Sequence, residues 1–207
     1  MAKLNVNPNR MELLKLKTRL QFAQRGHKLL KDKQESLMQE FMRVLKELRG
    51  LYEKMNQDLD KVYAKFYQAQ AGANPYALEE ALLGNTAKTT LAVEIKSQFG
   101  VKFPLLQAGR IEPKLGGSPA TAPLAARGLV KAVGAVFPAI LFLAQTEKKI
   151  ELLAEEIEKT RRRVNALEYN LIPALQETLK DIVLKLEERD RSERTKLMKV
   201  KDLIAVR

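Results

Sequence analysis

The sequence predicts a mainly α chain, a long antiparallel two-helix coiled-coil hairpin with a small central insert containing a short β-hairpin. Three observations predict it. Two segments of matched length carry apolar residues at alternating spacings of three and four, the heptad pattern of helices that pack side by side. The stretch between them drops that period for the alternation and the Gly/Pro punctuation of strands and turns. The composition, 30% charged residues, 6% aromatics and no Trp among 207 residues, suits long helices better than a broad globular core.

The N-terminal coiled-coil helix is expected within residues 1–71. Asn7 reads as its cap and Pro8 as its first helical residue, where a missing N–H costs nothing. Gly72-Ala73-Asn74-Pro75 reads as its stop. Between them Leu13, Leu16, Leu20, Ala23, His27, Leu30, Gln34, Leu37, Phe41, Val44, Leu48, Leu51 and Met55 follow one another at gaps of three and four without exception. An extra gap of four to Leu59 is a stutter, which locally relaxes a supercoil, before Val62, Phe66 and Ala69 continue the seam.

Residues 72–137 form the insert. Tyr76 to Leu83 reads as a short helix. Leu91, Val93 and Ile95 alternate with Ala92 and Glu94, and Val101, Phe103 and Leu105 repeat the alternation after Phe99-Gly100, so a β-hairpin is expected with Pro104 marking an edge strand. The run EPKLGGSPATAP at 112–123 reads as a turn-rich mobile loop.

The C-terminal coiled-coil helix is expected over residues 138–207. Its seam is Ile150, Leu153, Ile157, Thr160, Val164, Leu167, Leu171, Leu175, Leu179, Ile182 and Leu186, with Leu197 and Val200 near the end. Successive gaps of four at Leu171, Leu175 and Leu179 bracket Pro173, which cannot donate to the Tyr169 carbonyl and is expected to bend the helix. Two helices of about 65 residues, each about 95 Å long at 1.5 Å per residue, fold back most simply with both chain ends at one pole. The charge follows that arrangement. Of the net +12, residues 1–33 hold +7 and residues 189–207 hold +4, so the basic surplus belongs to one tip.

Several function classes are excluded or weakened. With no cysteine there is no disulfide, thiolate metal site or thiol nucleophile. The opening MAKLNVNPNR has no apolar core or cleavage site of a secretory signal. The most apolar run, Ala132 to Ala144, contains Pro138 and falls short of the ~20 residues that span a bilayer. A soluble, cytoplasmic protein without direct membrane insertion is expected. GNTAKT at 84–89 lacks the second Gly that a phosphate loop places before its Lys, so no nucleotide or other cofactor site is expected. His27, the single histidine, lies on the seam without a second ligand, so it reads as a packing or register residue, and Gly26 beside it as permitting close helix approach. Arg161, Arg162 and Arg163 imitate the basic region of a zipper, but Glu155, Glu156 and Glu158 precede them and Pro173 interrupts the would-be zipper. Carboxylates such as Glu147, Glu151 and Glu155 recur at helical spacing beside Lys and Arg, the pattern of surface ion pairs rather than of general acid/base catalysis.

The chain resembles the D subunit of V-type rotary ATPases. The resemblance is carried by NPNRMELLKLK at 7–17, GHKLLKDK at 26–33, EEIEKTRRRVNALEY at 155–169, Pro173 and KLMKVK at 196–201, and covers both long helices, about two thirds of the chain. Asn9 departs from the Thr more usual in the family's opening. The resemblance implies a non-catalytic central rotor shaft that couples ATP hydrolysis or synthesis to H⁺ or Na⁺ translocation. It implies as partners the A and B subunits of the catalytic hexamer, the F subunit, and the C (or d) subunit that links to the membrane ring. Candidate contact residues at the basic tip are Arg10, Lys15, Lys17, Arg19, Arg189, Arg194, Lys199 and Lys201, with Lys3 and Arg207 beside them. Arg161, Arg162, Arg163 and Glu168 are candidates for contact with the F subunit or the stator ring. The competing readings are a basic coiled coil binding nucleic acid, which predicts steeply salt-dependent affinity, and an unrelated scaffold that self-associates.

Overall fold

The computed structural model describes residues 6–72, 74–83, 89–109 and 124–205; the loops expected at 84–88 and 112–123, and Lys3 and Arg207, lie outside them. Helix α1 spans Arg10–Gly72, α2 Pro75–Leu83, and strands β1 Leu91–Gln98 and β2 Val101–Ala108 precede α3, Leu124–Asn165. A π-turn, Ala166–Leu171, joins α3 to α4, Ile172–Ala205. The long N-terminal helix, the central two-stranded antiparallel hairpin and the long C-terminal helix are the elements that the sequence predicts.

The boundaries differ in instructive ways. Helix α1 starts two residues later than the Asn7-Pro8 signal implies, because the Leu13 N–H closes the first turn on the Asn9 carbonyl. At the other end Asn74 caps α2. Its side chain accepts from the Tyr76 N–H and its carbonyl from the Leu78 N–H, and Pro75 takes the first helical position. The larger difference is α3, which begins at Leu124, so Pro138 is a helix-interior residue and the expected insert boundary at 137 falls inside the helix. The seam explains this. Ala126, Leu129, Val136, Leu143 and Thr146 are buried at heptad spacing, and Pro138 faces solvent, where loss of one hydrogen bond is tolerated.

The chain divides into two compact units, one built from residues up to Ser36 with those from Ile157 onward, the other Leu37–Glu156. In the first, Leu16 and Ala23 of α1 pack with Leu175 and Ile182 of α4, flanked by Leu13, Leu20, Leu171, Leu179 and Leu186. The pairing is antiparallel: Arg10 meets Asp190 and His27 faces Glu168. Each fully buried Leu or Ile contributes about 1.5–3 kcal/mol before chain entropy is subtracted.

In the second unit α1 packs on α3, with Leu37, Val44 and Leu153 buried, and Ala69, Leu78 and Ala126 cluster where α1, α2 and α3 meet. The hairpin register runs from Leu91 opposite Ala108 to Gln98 opposite Val101. Its two-residue turn has positive φ at both Phe99 (53°) and Gly100 (81°), the primed geometry that matches the twist of paired strands. Gly109 closes the open end by donating to the Thr90 carbonyl at 2.8 Å; a Cβ there would run into the Thr90 side chain. One face of the hairpin, Val101 and Phe103, is buried, while Leu91, Val93 and Ile95 on the other face are exposed.

The helical run Ala126–Ile204 contains an 18-residue window of mean hydropathy 1.8, of which 22% is buried, so by length and apolarity it could cross a membrane. The expectation that the apolar stretch is too short rested on ending it at Ala144 and breaking it at Pro138; α3 continues through both.

Candidate functional site

The sequence nominates two groups of residues, and the first unit carries both. At one end of the α1/α4 pair, Arg10 donates to both carboxylate oxygens of Asp190 at 3.2 and 3.3 Å, and Arg189 donates to the Pro8 carbonyl at 3.3 Å. Lys15 pairs with Glu12 at 2.8 Å. Lys17 borders a shallow apolar groove with Leu179, Val183 and Leu184, while Arg19, Arg194, Lys199 and Lys201 are exposed. Most of these charges stand in water, where an ion pair is worth about 0–1 kcal/mol, so the tip holds a basic surface without spending it on folding.

Arg161, Arg162 and Arg163 are not brought to that end. They lie 26 or more residues from Arg189 along the helix, roughly 40 Å at 1.5 Å per residue. All three are exposed; Arg162 pairs with Glu158 one turn back. Glu168 sits in the π-turn, its Oε2 3.5 Å from His27 Nε2. The histidine nitrogen is buried and has no hydrogen-bond partner among the described residues, and neither has the buried Thr160 Oγ1. A register role for His27 fits its half-buried place on the seam. Close approach at Gly26 does not hold, because a Cβ there would meet nothing within 4 Å.

Sequence reasoning missed two features. One is an apolar stripe on the solvent side of α1: Met11, Leu14, Phe22 and Leu29 are all exposed, Phe22 at 67%. At 100° per residue Met11, Phe22 and Leu29 align within about 20°, well away from the seam. The stripe is a second apolar period in the sequence, on a helix face other than the seam. The other is Lys149 of α3. Its Nζ reaches Glu40 Oε1 of α1 at 2.9 Å and Gln98 Oε1 of β1 at 3.2 Å, and it stands 4.9 Å from the centre of the Phe103 ring of β2. Gln145, one turn earlier, accepts the Leu106 N–H at 2.9 Å. These two side chains seat the hairpin on the helices. Burial pushes the Glu40 carboxyl up, but hydrogen bonds from Arg43 and Lys149, and their charges, outweigh it and leave Glu40 below its ordinary value. No signal in the sequence links Lys149 to a glutamate 109 residues away.

Among the described residues no three His, Asp or Glu side chains stand close enough to hold a metal ion. The arrangement offers surfaces for partners: a basic end, an apolar stripe beside it, an arginine run farther along, and a hairpin with one uncovered face.

The family model for the D subunit of ATP synthase matches residues 12–202. The D subunit of the V-type ATP synthase of Thermoanaerobacter sp. (strain X514) is 41% identical over 208 residues, covering 99% of both chains. The protein of the same description from Clostridium botulinum (strain ATCC 19397 / Type A) is 43% identical over 212 residues, covering 98% of this chain and 96% of its own. Similarity at that level covers nearly the whole length of the chain, and the chain belongs to the family of ATP synthase D subunits.

Proposed function

We propose that the chain is the central-stalk rotor subunit of a V-type rotary ATPase, mechanically coupling ATP hydrolysis or synthesis to ion translocation, and that it is a structural part of the complex with no catalytic site of its own. The observation that carries the reading is the end-to-end similarity to V-type ATP synthase D subunits in a chain whose helices pair antiparallel along a heptad seam. A single asymmetric subunit within a ring of alternating A and B subunits meets each catalytic site differently. Each orientation then favours a different set of ring conformations, and the coupling is reciprocal.

The basic end, Arg10, Lys15, Lys17, Arg19, Arg189, Arg194, Lys199 and Lys201, faces the A/B ring in this reading, with the Met11, Phe22 and Leu29 stripe beside it. Exposed pairs worth about 0–1 kcal/mol suit contacts that must exchange as the rotor turns. Arg161, Arg162, Arg163 and Glu168 contact the F subunit or the ring. The C (or d) subunit links the shaft to the membrane rotor, and the protein is cytoplasmic and peripheral to the membrane. The apolar window of α3 is then a surface that the chain and its partners cover together; Leu129, Val130, Val136 and Leu143 within it are already buried by the chain itself.

Mixing the chain with A, B and F subunits is expected to yield a stoichiometric complex with ATPase activity. Failure of the folded chain to join such a complex overturns the proposal. Nucleic-acid binding is the weaker reading, since Glu12, Glu158 and Asp190 pair with Lys15, Arg162 and Arg10 and interrupt the continuous basic surface it would need.

A further inference from the structure

Several features that weaken a helix pair fall on one stretch of the first unit, Thr160 to Leu171 and the facing Gly26–His27. On the C-terminal side the α-helical ladder gives way to the π-turn Ala166–Leu171, where the Ile172 N–H closes on the Leu167 carbonyl, one residue farther back than in an α-helix. Pro173 comes directly after and has no N–H to give. The buried Thr160 hydroxyl is unpaired, whereas Thr146 and Thr178 pass theirs to the carbonyl four residues back at 2.8 and 2.7 Å. Opposite, on α1, His27 turns a buried Nε2 that makes no hydrogen bond toward Glu168 Oε2 in the π-turn, 3.5 Å away. Gly26 stands beside it in open space, so no neighbour requires a glycine there. A glycine in a helix interior, buried polar atoms without hydrogen bonds and a widened turn each lower local stability. The next stretch of the same pair has none of them: Leu16, Ala23, Leu175 and Ile182 form an apolar cluster, and Leu175 and Ile182 are almost fully buried.

We infer that Gly26–His27 and the facing π-turn form a compliant joint, a short segment of the helix pair that opens and twists more readily than the cluster beside it, with His27 as the side chain through which the two helices sense each other. The joint is a property of the folded chain. Its use in transmitting torque rests on the rotor reading; its existence does not.

Local opening is read directly by amide hydrogen exchange. In the full-length chain, peptides covering residues 160–171 and 25–30 are expected to exchange at least tenfold faster than those covering 16–23 and 175–182. Uniform protection along the pair overturns the joint. Gly26→Ala, which has room for its methyl group, is expected to slow exchange across 160–171 on the opposite helix by about fivefold as well as at its own position. Slowing confined to α1 overturns the coupling through His27. His27→Leu supplies a second variant, removing the buried nitrogen, and is expected to slow exchange at 160–171 in the same way; unchanged exchange there also overturns the coupling. Because these readouts need no other protein, a chain that fails to assemble with A and B subunits yet exchanges unevenly refutes the rotor reading and keeps the joint. The opposite pair of results does the reverse.

Discussion

Lys149 touches α1, β1 and β2 from its place on α3, and Glu40 is the partner that makes this possible. Replacing Lys149 by Met keeps the stem and removes the ammonium group, leaving a mostly buried Glu40 carboxylate with Arg43 alone. A loss of about 1–3 kcal/mol is expected in denaturant unfolding, the usual cost of a buried polar group deprived of its partner. The pH dependence has a definite sign. Glu40 is depressed in the folded chain relative to its ordinary 4.5, so its contribution is complete above that pH and fades as the pH falls below it. The stability gap between the native chain and Glu40→Gln is therefore expected to be constant from pH 5 to pH 7 and to shrink below about 4.5. Gly100 is the other residue whose role is sharp: at φ 81° an added methyl group costs about 1–2 kcal/mol, so Gly100→Ala is expected to loosen the hairpin by that amount. The turn was legible in Phe99-Gly100 because local chemistry dictates it. The Glu40–Lys149 pair was not, because nothing local marks a lysine whose partner arrives from the other end of the fold.

Heptad periodicity made both long helices legible, and where it failed the cause is visible in the same numbers. The seam runs Val164, Leu167, Leu171, Leu175, Leu179, with three gaps of four in succession, one residue more than alternating gaps allow. A turn closed five residues back instead of four absorbs that extra residue, which is why the interruption expected at Pro173 takes the form of a π-turn just before it. Pro138 misled in the opposite sense, because a proline on the solvent face of a helix with a continuing seam is a tolerated interior residue rather than a start. Periodicity also overreached. Leu175 and Leu197 belong to one expected seam, yet Leu175 is 0% exposed and Leu197 is 68% exposed. Leu175→Ala is expected to cost about 2–5 kcal/mol in the isolated chain. Leu197→Ala should change it by less than about 0.5 kcal/mol, as measured by thermal or denaturant unfolding.

Across the whole molecule, charge and exposed apolar area tell of company. The positive surplus of the two chain ends meets in the Arg10, Arg189 and Asp190 contacts, and the Met11, Phe22 and Leu29 stripe runs beside it. Neutralising Lys15, Lys17, Arg19 and Arg194 together is expected to weaken assembly with A and B subunits at least tenfold at low salt and much less at high salt, since exposed charges are screened. Unchanged affinity in a binding titration counts against an electrostatic role for that end. The contact partners proposed for these surfaces come from family resemblance alone, because a surface records what it repels and attracts but not whose surface answers it. Beyond Asp190, finally, every described side chain of α4 is exposed, Leu197, Met198, Val200, Leu203 and Ile204 among them. Among the described residues no apolar side chain covers that stretch, roughly 20 Å of helix at 1.5 Å per residue, and a helix of so few turns is marginal in water by itself. Amide exchange is therefore expected to be faster there than over Leu175–Ile182 in the free chain, and to slow once a partner covers Leu197, Met198, Val200, Leu203 and Ile204.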